Sequence, residues 1–140
     1  MTAKPLAVVT GAAGFIGSHM VDLLLARGYR VHGIDNLSGG HLKNLAHLRG
    51  NADFQLDRKD ILDIVSDEDT FKGSRFVFHF AGIGDIVPSI ERPVDYMATN
   101  VMGTVRVLEA ARAAGLSKFV YAASSSCYGL ADQAPTPSPA

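Results

Sequence analysis

The stretch Thr10-Gly11-Ala12-Ala13-Gly14-Phe15-Ile16-Gly17 joins an apolar run to an amphipathic segment. Upstream, residues 6–9 (Leu-Ala-Val-Val) have the unbroken apolar character of a strand in a parallel sheet that is covered on both faces. Downstream, apolar side chains recur at near-helical spacing, namely Phe15, Ile16, Met20, Leu23 and Leu24. This order of strand, glycine turn and helix predicts an α/β fold.

The three glycines of the turn have distinct predicted roles. Gly11 permits a tight exit from the strand, Gly14 lets the backbone approach a pyrophosphate, and Gly17 lets the helix pack closely. The N–H groups and dipole of the helix would then face the phosphates. On its own the pattern also fits a turn that is glycine-rich only for steric reasons. The next strand is therefore needed to support a dinucleotide site.

That second strand, Arg30 to Ile34, is followed by Asp35. The separation from the turn is about 20 residues, as expected for the acidic residue that binds the ribose of a dinucleotide. A carboxylate here would repel the 2′-phosphate of NADP, and the glycine turn contains no arginine to neutralise that phosphate, so NAD is the predicted cofactor. The alternative interpretation of Asp35 is a loop residue that caps the following helix.

Composition narrows the classes of protein. The chain has 140 residues, 47% hydrophobic and 19% charged, with a net charge of −1, which predicts one globular domain and no nucleic acid or anionic membrane as main partner. The N-terminus lacks a signal-peptide core, no run approaches the ~20 apolar residues of a membrane span, and the single Cys127 has no disulfide partner. We therefore expect a soluble cytoplasmic protein. The histidines and acidic residues lack ligand spacing, so no metal site is predicted.

Further strands are predicted at residues 53–56, 75–80 and 118–123, alternating with helical patterns. The alternation predicts a Rossmann-like doubly wound parallel sheet of strand order 3-2-1-4-5 over residues 1–130, followed by a proline-rich loop or tail at 131–140. The longest helix is expected between Pro93 and Gly115. Its apolar face toward the sheet is predicted to comprise Val94, Met97, Val101, Val105 and Leu108. Gly103 is expected to pack against a neighbouring backbone, and His79 to be packed and hydrogen-bonded.

Six ordered motifs together resemble the extended short-chain dehydrogenase/reductase family, particularly its nucleotide-sugar 4-epimerases, which include the branch acting on UDP-glucose and UDP-galactose. The motifs are Thr10-Gly11 to Gly17, Asp35-Asn36-Leu37-Ser38-Gly39, Asp60-Ile61, His79-Phe80-Ala81-Gly82, Asn100-x-x-Gly103-Thr104 and Ser124-Ser125-Ser126-Cys127-Tyr128-Gly129. The resemblance spans nearly the whole chain. It implies an incomplete NAD-binding Rossmann domain that is truncated before the substrate-binding lobe.

The resemblance also implies roles for individual residues. The implied cofactor-binding residues are Gly11, Gly14, Phe15, Ile16, Gly17, Asp35, Asn36, Ser38, Gly39, Asp60, Ile61, Phe80, Ala81, Gly82 and Asn100. Among them, Asp35 and Asn36 correspond to contacts with the adenosine ribose, and Asp60 and Ile61 flank the adenine. The Phe80 to Gly82 segment lies beneath the pyrophosphate and nicotinamide ribose. For Asn100, a polar helix residue that bonds to strand-end backbone remains a compatible alternative.

Ser124 follows the carboxyl end of the fifth predicted strand, the edge where parallel sheets bind ligands. In the family, the residue at this position hydrogen-bonds the sugar hydroxyl that is oxidised, which implies a catalytic role for Ser124 and a substrate contact for Ser125. A serine run is otherwise typical of a polar loop. The family's 4,6-dehydratases have Asp-Glu where this chain has Ser125 and Ser126, so elimination of water is disfavoured and reversible oxidation at C4 is preferred.

The family's catalytic base is a tyrosine activated by a lysine four residues later. None of the four tyrosines here, Tyr29, Tyr96, Tyr121 and Tyr128, has that lysine. The chain is therefore predicted to be the NAD-binding portion of a homodimeric nucleotide-sugar 4-epimerase, inactive by itself. Two alternatives remain, a non-catalytic NAD-binding module and another nucleotide-sugar reductase or decarboxylase of the same family.

Overall fold

A computed structural model describes residues 3–124 and 128–129 of the chain. Five parallel strands form one sheet: β1 Leu6–Thr10, β2 Arg30–Ile34, β3 Phe54–Asp57, β4 Ser74–His79 and β5 Lys118–Tyr121. Their order is β3-β2-β1-β4-β5, which confirms the predicted topology. The tail at 131–140 lies outside the described residues.

Helical segments connect the strands. Helix α1 is Phe15–Ala26, and a 3₁₀ segment, Leu42–Leu48, takes the place of a second α-helix between β2 and β3. Two 3₁₀ turns, Ile61–Asp63 and Asp69–Phe71, lead to β4. Then follow α2 (Ile86–Glu91), α3 (Pro93–Met97), a π-helical turn (Ala98–Gly103) and α4 (Thr104–Ala113). No helix in these described segments is long and apolar enough to cross a membrane.

The sheet is covered on both faces because alternate strand residues point to opposite sides. Ala7 and Val9 of β1 pack with Val21 and Leu24 of α1, whereas Val8 packs on the other face in a cluster with α4. All four residues at 7–10 are fully buried. The unbroken apolar run of β1 is thus explained by its central position in the sheet.

The helical region after Pro93 is continuous as predicted. The prediction of which of its residues face the sheet is wrong. Val94, Met97, Val101, Val105 and Leu108 are all exposed. The residues that face the sheet are instead small or β-branched, namely Val107, Ala110 and Ala111. Gly103 is also buried. The segment therefore has two apolar sides. The spacing of apolar residues in the sequence points to the side with the larger residues, whereas the side with the smaller residues packs against the sheet.

Gly103 ends the π-helical turn and packs against the buried side chain of Ile61. A Cβ built on Gly103 would lie 2.5 Å from Cδ1 and 2.8 Å from Cγ1 of Ile61. The close neighbour is thus a side chain, which corrects the expectation of a backbone. This contact holds the π-helical turn against the segment that follows β3.

We expect Gly103→Ala to lower the free energy of unfolding by about 1 kcal/mol, because overpacking of about 1–3 kcal/mol exceeds the gain of roughly 1 kcal/mol in helix propensity. Ile61→Val removes Cδ1, the nearer of the two clashing atoms, and leaves only the 2.8 Å contact with the γ carbon. The double variant should therefore lose less stability than the sum of the two single variants, by at least about 0.5 kcal/mol. Urea unfolding of the four proteins measures this difference, and additive losses would contradict it.

Candidate cofactor site

A cleft of about 330 Å³ lies at the carboxyl ends of the strands. It is located beside β1, which has β2 as its neighbour on one side and β4 on the other, so the strand order changes direction here. Doubly wound sheets bind ligands at this position. All the predicted cofactor residues except Asn100 line it: Gly11, Gly14, Phe15, Ile16, Gly17, Asp35, Asn36, Ser38, Gly39, Asp60, Ile61, Phe80, Ala81 and Gly82. Five further lining residues were not predicted, namely Ile34, Gly40, Lys59, Ile83 and Thr99.

The glycine turn forms the floor of this cleft. Gly11 adopts φ +67°, and its N–H donates to the carbonyl of Ile34 at 2.8 Å. A Cβ on Gly11 would lie 2.8 Å from the backbone N of Ala81, and one on Gly17 would lie 1.9 Å from the carbonyl O of Gly11. At Gly11 and Gly17 the turn therefore meets β2, the segment after β4 and α1 through backbone atoms, and no side chain fits at either glycine.

The N-terminus of α1 fits a pyrophosphate. Its N-cap residue is Gly14, so no side chain caps the first N–H groups of the helix, and the first turn of α1 contains no acidic residue. The first N–H groups of a helix have no acceptor within the helix. These groups and the helix dipole both stabilise an anion that is bound at the helix N-terminus. The backbone of this turn can thus receive phosphate oxygens without competition from a capping carboxylate.

Asp35 is buried, with 7% of its surface exposed, and its carboxylate binds backbone donors. Oδ2 accepts from the N–H of Ala13 at 2.9 Å, and Oδ1 accepts from the N–H of Leu37 at 2.7 Å. Each oxygen has a second lone pair that a ribose hydroxyl can use. Asp35 does not cap the following helical segment, whose N-cap is His41.

Asn36 and Asp60 join the segments after β2 and β3. The Asn36 Nδ2 donates to Asp60 Oδ2 at 2.7 Å, and Asn36 Oδ1 accepts from both the N–H and the hydroxyl of Ser38. Asp60 Oδ1 accepts from the N–H of Leu62 at 2.8 Å. Lys59 lies at the same end of the cleft and forms an ion pair with Glu68. Sequence spacing gives no signal for that pair, because its partners meet only in the folded loop.

Asn100 lies behind the cleft and holds its wall. Its Oδ1 accepts from the N–H of Ile83 at 2.9 Å, and its Nδ2 donates to the carbonyl of Ile83 at 2.8 Å. A Cβ on Gly82 would lie 3.2 Å from Asn100 Oδ1. The bond to strand-end backbone is thus observed for Asn100, and Thr99 beside it lines the cleft. A direct contact of Asn100 with the cofactor stays a prediction.

One of the two predicted substrate residues, Ser124, falls within the described part of the chain. Ser124 follows β5 and is exposed, and it is not among the residues that line the cleft. Ser125 lies outside the described residues. Within the described part of the chain, no group of three or more His, Cys, Asp or Glu side chains could hold a metal ion. The structure thus assembles the predicted cofactor half of the site.

Comparisons with known proteins identify the family of this chain. The model of the NAD dependent epimerase/dehydratase family matches residues 7–140. UDP-glucose 4-epimerase of Mycolicibacterium smegmatis is 42% identical over 132 residues, covering 92% of this chain and 42% of that enzyme. UDP-glucuronic acid decarboxylase 1 of Arabidopsis thaliana is 40% identical over 123 residues, covering 87% of this chain and 27% of that protein.

Among solved structures, UDP-glucuronic acid 4-epimerase from Bacillus cereus, in complex with UDP-glucuronic acid and NAD, superposes with a TM-score of 0.82 at 35% identity. The match covers 92% of this chain and 43% of that one. The chain thus spans less than half the length of the relatives it matches. These matches confirm the Rossmann-like fold and NAD as the family's cofactor. The chain belongs to the NAD-dependent epimerase/dehydratase family.

Proposed function

We propose that this chain is the NAD-binding portion of a nucleotide-sugar 4-epimerase. The observation that carries the proposal is the cleft at the glycine turn and the N-terminus of α1, with the buried carboxylate of Asp35 among its lining residues. The M. smegmatis relative and the B. cereus structure are both UDP-sugar 4-epimerases. Residues 1–130 are proposed as the incomplete NAD-binding domain.

The residues of the cleft suit the parts of the cofactor in turn. The N–H groups at the start of α1 would bind the pyrophosphate, and Asp35 would accept hydrogen bonds from the ribose hydroxyls. Ile61 and the bonded pair Asn36 and Asp60 would contact the adenine end, and Phe80 to Gly82 would lie beneath the nicotinamide end. When bound, NAD supplies a reversible acceptor for the hydride at the sugar C4. The chain's own part is to bind and orient.

At the substrate end, Ser124 would hydrogen-bond the sugar hydroxyl that loses its proton, with Ser125 as a second contact. The proton itself needs a base, and no tyrosine of this chain has a lysine four residues later to lower its pKa. We therefore propose that the 140 residues alone turn over no sugar. The parent enzyme is proposed to be a homodimer, as the resemblance implies, and to be cytoplasmic.

Two other functions remain as alternatives. The A. thaliana decarboxylase shares 40% identity with this chain, so a decarboxylase or reductase with the same cofactor portion is the first. A non-catalytic NAD-binding module is the second. The residues Ser125 and Ser126 favour reversible oxidation over elimination, because neither side chain acts as an acid or base near neutral pH.

Product analysis separates these functions. The full-length gene product, supplied with NAD and either UDP-glucose or UDP-glucuronic acid, is expected to interconvert C4 epimers and to release no CO₂, and the 140-residue chain is expected to form no product. Proton NMR of the sugar anomeric signals and trapping of CO₂ measure both outcomes. Release of CO₂ from UDP-glucuronic acid would contradict the epimerase function and support the decarboxylase function. Product formed by the 140-residue chain would contradict its proposed inactivity.

Gly14→Val tests the cofactor cradle. The added side chain would occupy the backbone surface that is proposed to meet the pyrophosphate, so we expect the Kd for NAD to rise at least about tenfold, the equivalent of one hydrogen bond or more. Gly84→Val is the matched control, because a Cβ there meets nothing within 4 Å and Gly84 does not line the cleft. Isothermal calorimetry on both variants gives the comparison. An unchanged Kd in Gly14→Val would place the binding site elsewhere.

A further inference from the structure

His79 is a buried titratable residue to which no part of the proposed reaction assigns a role. It ends β4 with 1% of its surface exposed, and its ring lies against those of Phe119 and Tyr121, with centroid distances of 5.9 and 5.7 Å. Its Nδ1 is 2.6 Å from Oγ1 of Thr10, and its Nε2 is 2.9 Å from Oγ1 of Thr104. Both ring nitrogens are therefore engaged by hydroxyl groups.

The positions of the protons follow from the acceptors at the two ends. The hydroxyl of Thr104 donates to the main-chain carbonyl of Asn100 at 2.7 Å, so its single proton is used and it accepts from Nε2–H of His79. In a neutral imidazole the other nitrogen is then an acceptor, and Nδ1 accepts from the hydroxyl of Thr10. The Thr10 oxygen in turn accepts from the N–H of Ala81 at 3.2 Å.

The protonated ring does not fit this arrangement. A second proton on Nδ1 would point at Thr10 Oγ1 and would leave the Thr10 hydroxyl proton without its acceptor. Among the described residues, the side chains that hydrogen-bond to His79 or stack on its ring are those of Thr10, Thr104, Phe119 and Tyr121, and none of these four is a carboxylate, ammonium or guanidinium group. Burial lowers the pKa of His79 to about 4, so the ring is neutral near pH 7.

Both ends of the segment Ala81 to Ile83 lead back to this one ring. Ala81 is connected to His79 through the hydroxyl of Thr10. Ile83 is bound by the side chain of Asn100, and the main-chain carbonyl of Asn100 accepts from the hydroxyl of Thr104, which also contacts His79. All three residues of the segment line the cleft. The ring thus lies at the closure of a loop of hydrogen bonds that includes the end of β1, the segment after β4 and the π-helical turn.

We propose that His79 is a positioning residue of the cofactor cleft: as the neutral Nε2–H tautomer it fixes the Ala81 to Ile83 segment through Thr10 and Thr104. The proposal rests on the proposed function for the ligand, a dinucleotide, and on the hydrogen-bond geometry for the mechanism. His79 does not touch the cofactor. It acts through Thr10 and Thr104, whose hydrogen bonds hold the segment Ala81 to Ile83 in a single conformation.

The tautomer is tested on the 140-residue chain labelled with ¹⁵N histidine. Two-bond nitrogen to hydrogen correlations should show His79 with a protonated Nε2 and an unprotonated Nδ1 from pH 5 to pH 8. A protonated Nδ1, or titration of the ring near pH 6.5, would overturn the proposal. This result does not depend on whether the chain binds NAD.

The positioning role is tested with Thr104→Val, which keeps the shape but removes the hydroxyl, and Thr104→Ser, which restores it. Thr104→Val should accelerate amide hydrogen exchange at Ala81 and Ile83 and raise the Kd for NAD about tenfold, the equivalent of one hydrogen bond. Thr104→Ser should stay within about twofold of the parent in both measurements.

Loss of stability in Thr104→Val with unchanged exchange at Ala81 and Ile83 would reduce His79 to a structural residue and overturn the proposal. Failure of the parent chain to bind NAD would overturn the proposed function instead, since the exchange rates and the tautomer would still report on the hydrogen-bond loop.

Discussion

The close backbone contact at Gly11 is the constraint on which the rest of the structure depends. At this point the end of β1 donates to the carbonyl of Ile34 on β2, lies against the backbone of Phe80 and Ala81 after β4, and meets α1 at Gly17. A Cβ on Gly11 or Gly17 would fall inside the van der Waals distance of backbone atoms. The absence of two side chains thus brings three strand ends and a helix N-terminus together around one cleft.

A buried charge completes the arrangement. The Asp35 carboxylate accepts from the backbone of Ala13 and of Leu37, and hydrogen bonds to an ionised acceptor are roughly twice as strong as neutral ones. Leu37 adopts φ +63°, which costs a residue other than glycine roughly 1–2 kcal/mol, and the bond from its N–H to Asp35 helps to hold it there. The residue proposed to recognise the ribose therefore also fixes the loop that contains it.

The sequence predicts those features that depend on local pattern. Alternating apolar runs predict the strand order, and glycine spacing together with Asp35 predicts most of the cleft lining, because strand ends in a parallel sheet meet at one edge. Contacts between distant segments have no such pattern. The side of the helix after Pro93 that faces the sheet, the ion pair of Lys59 with Glu68 and the two threonines around His79 all depend on packing. A stripe of large apolar residues shows that a face is apolar, but not what covers it.

The most direct test of a NAD site selected by Asp35 is a titration of the ¹⁵N-labelled 140-residue chain with NAD and, separately, with NADP, followed by amide chemical shifts. NAD should shift the amides of residues 11–17, 35–39 and 80–82 and leave β5 unchanged, while NADP at the same concentration should cause little change, because its 2′-phosphate would meet the Asp35 carboxylate. Shifts confined to other surfaces, or equal responses to the two dinucleotides, would contradict the account.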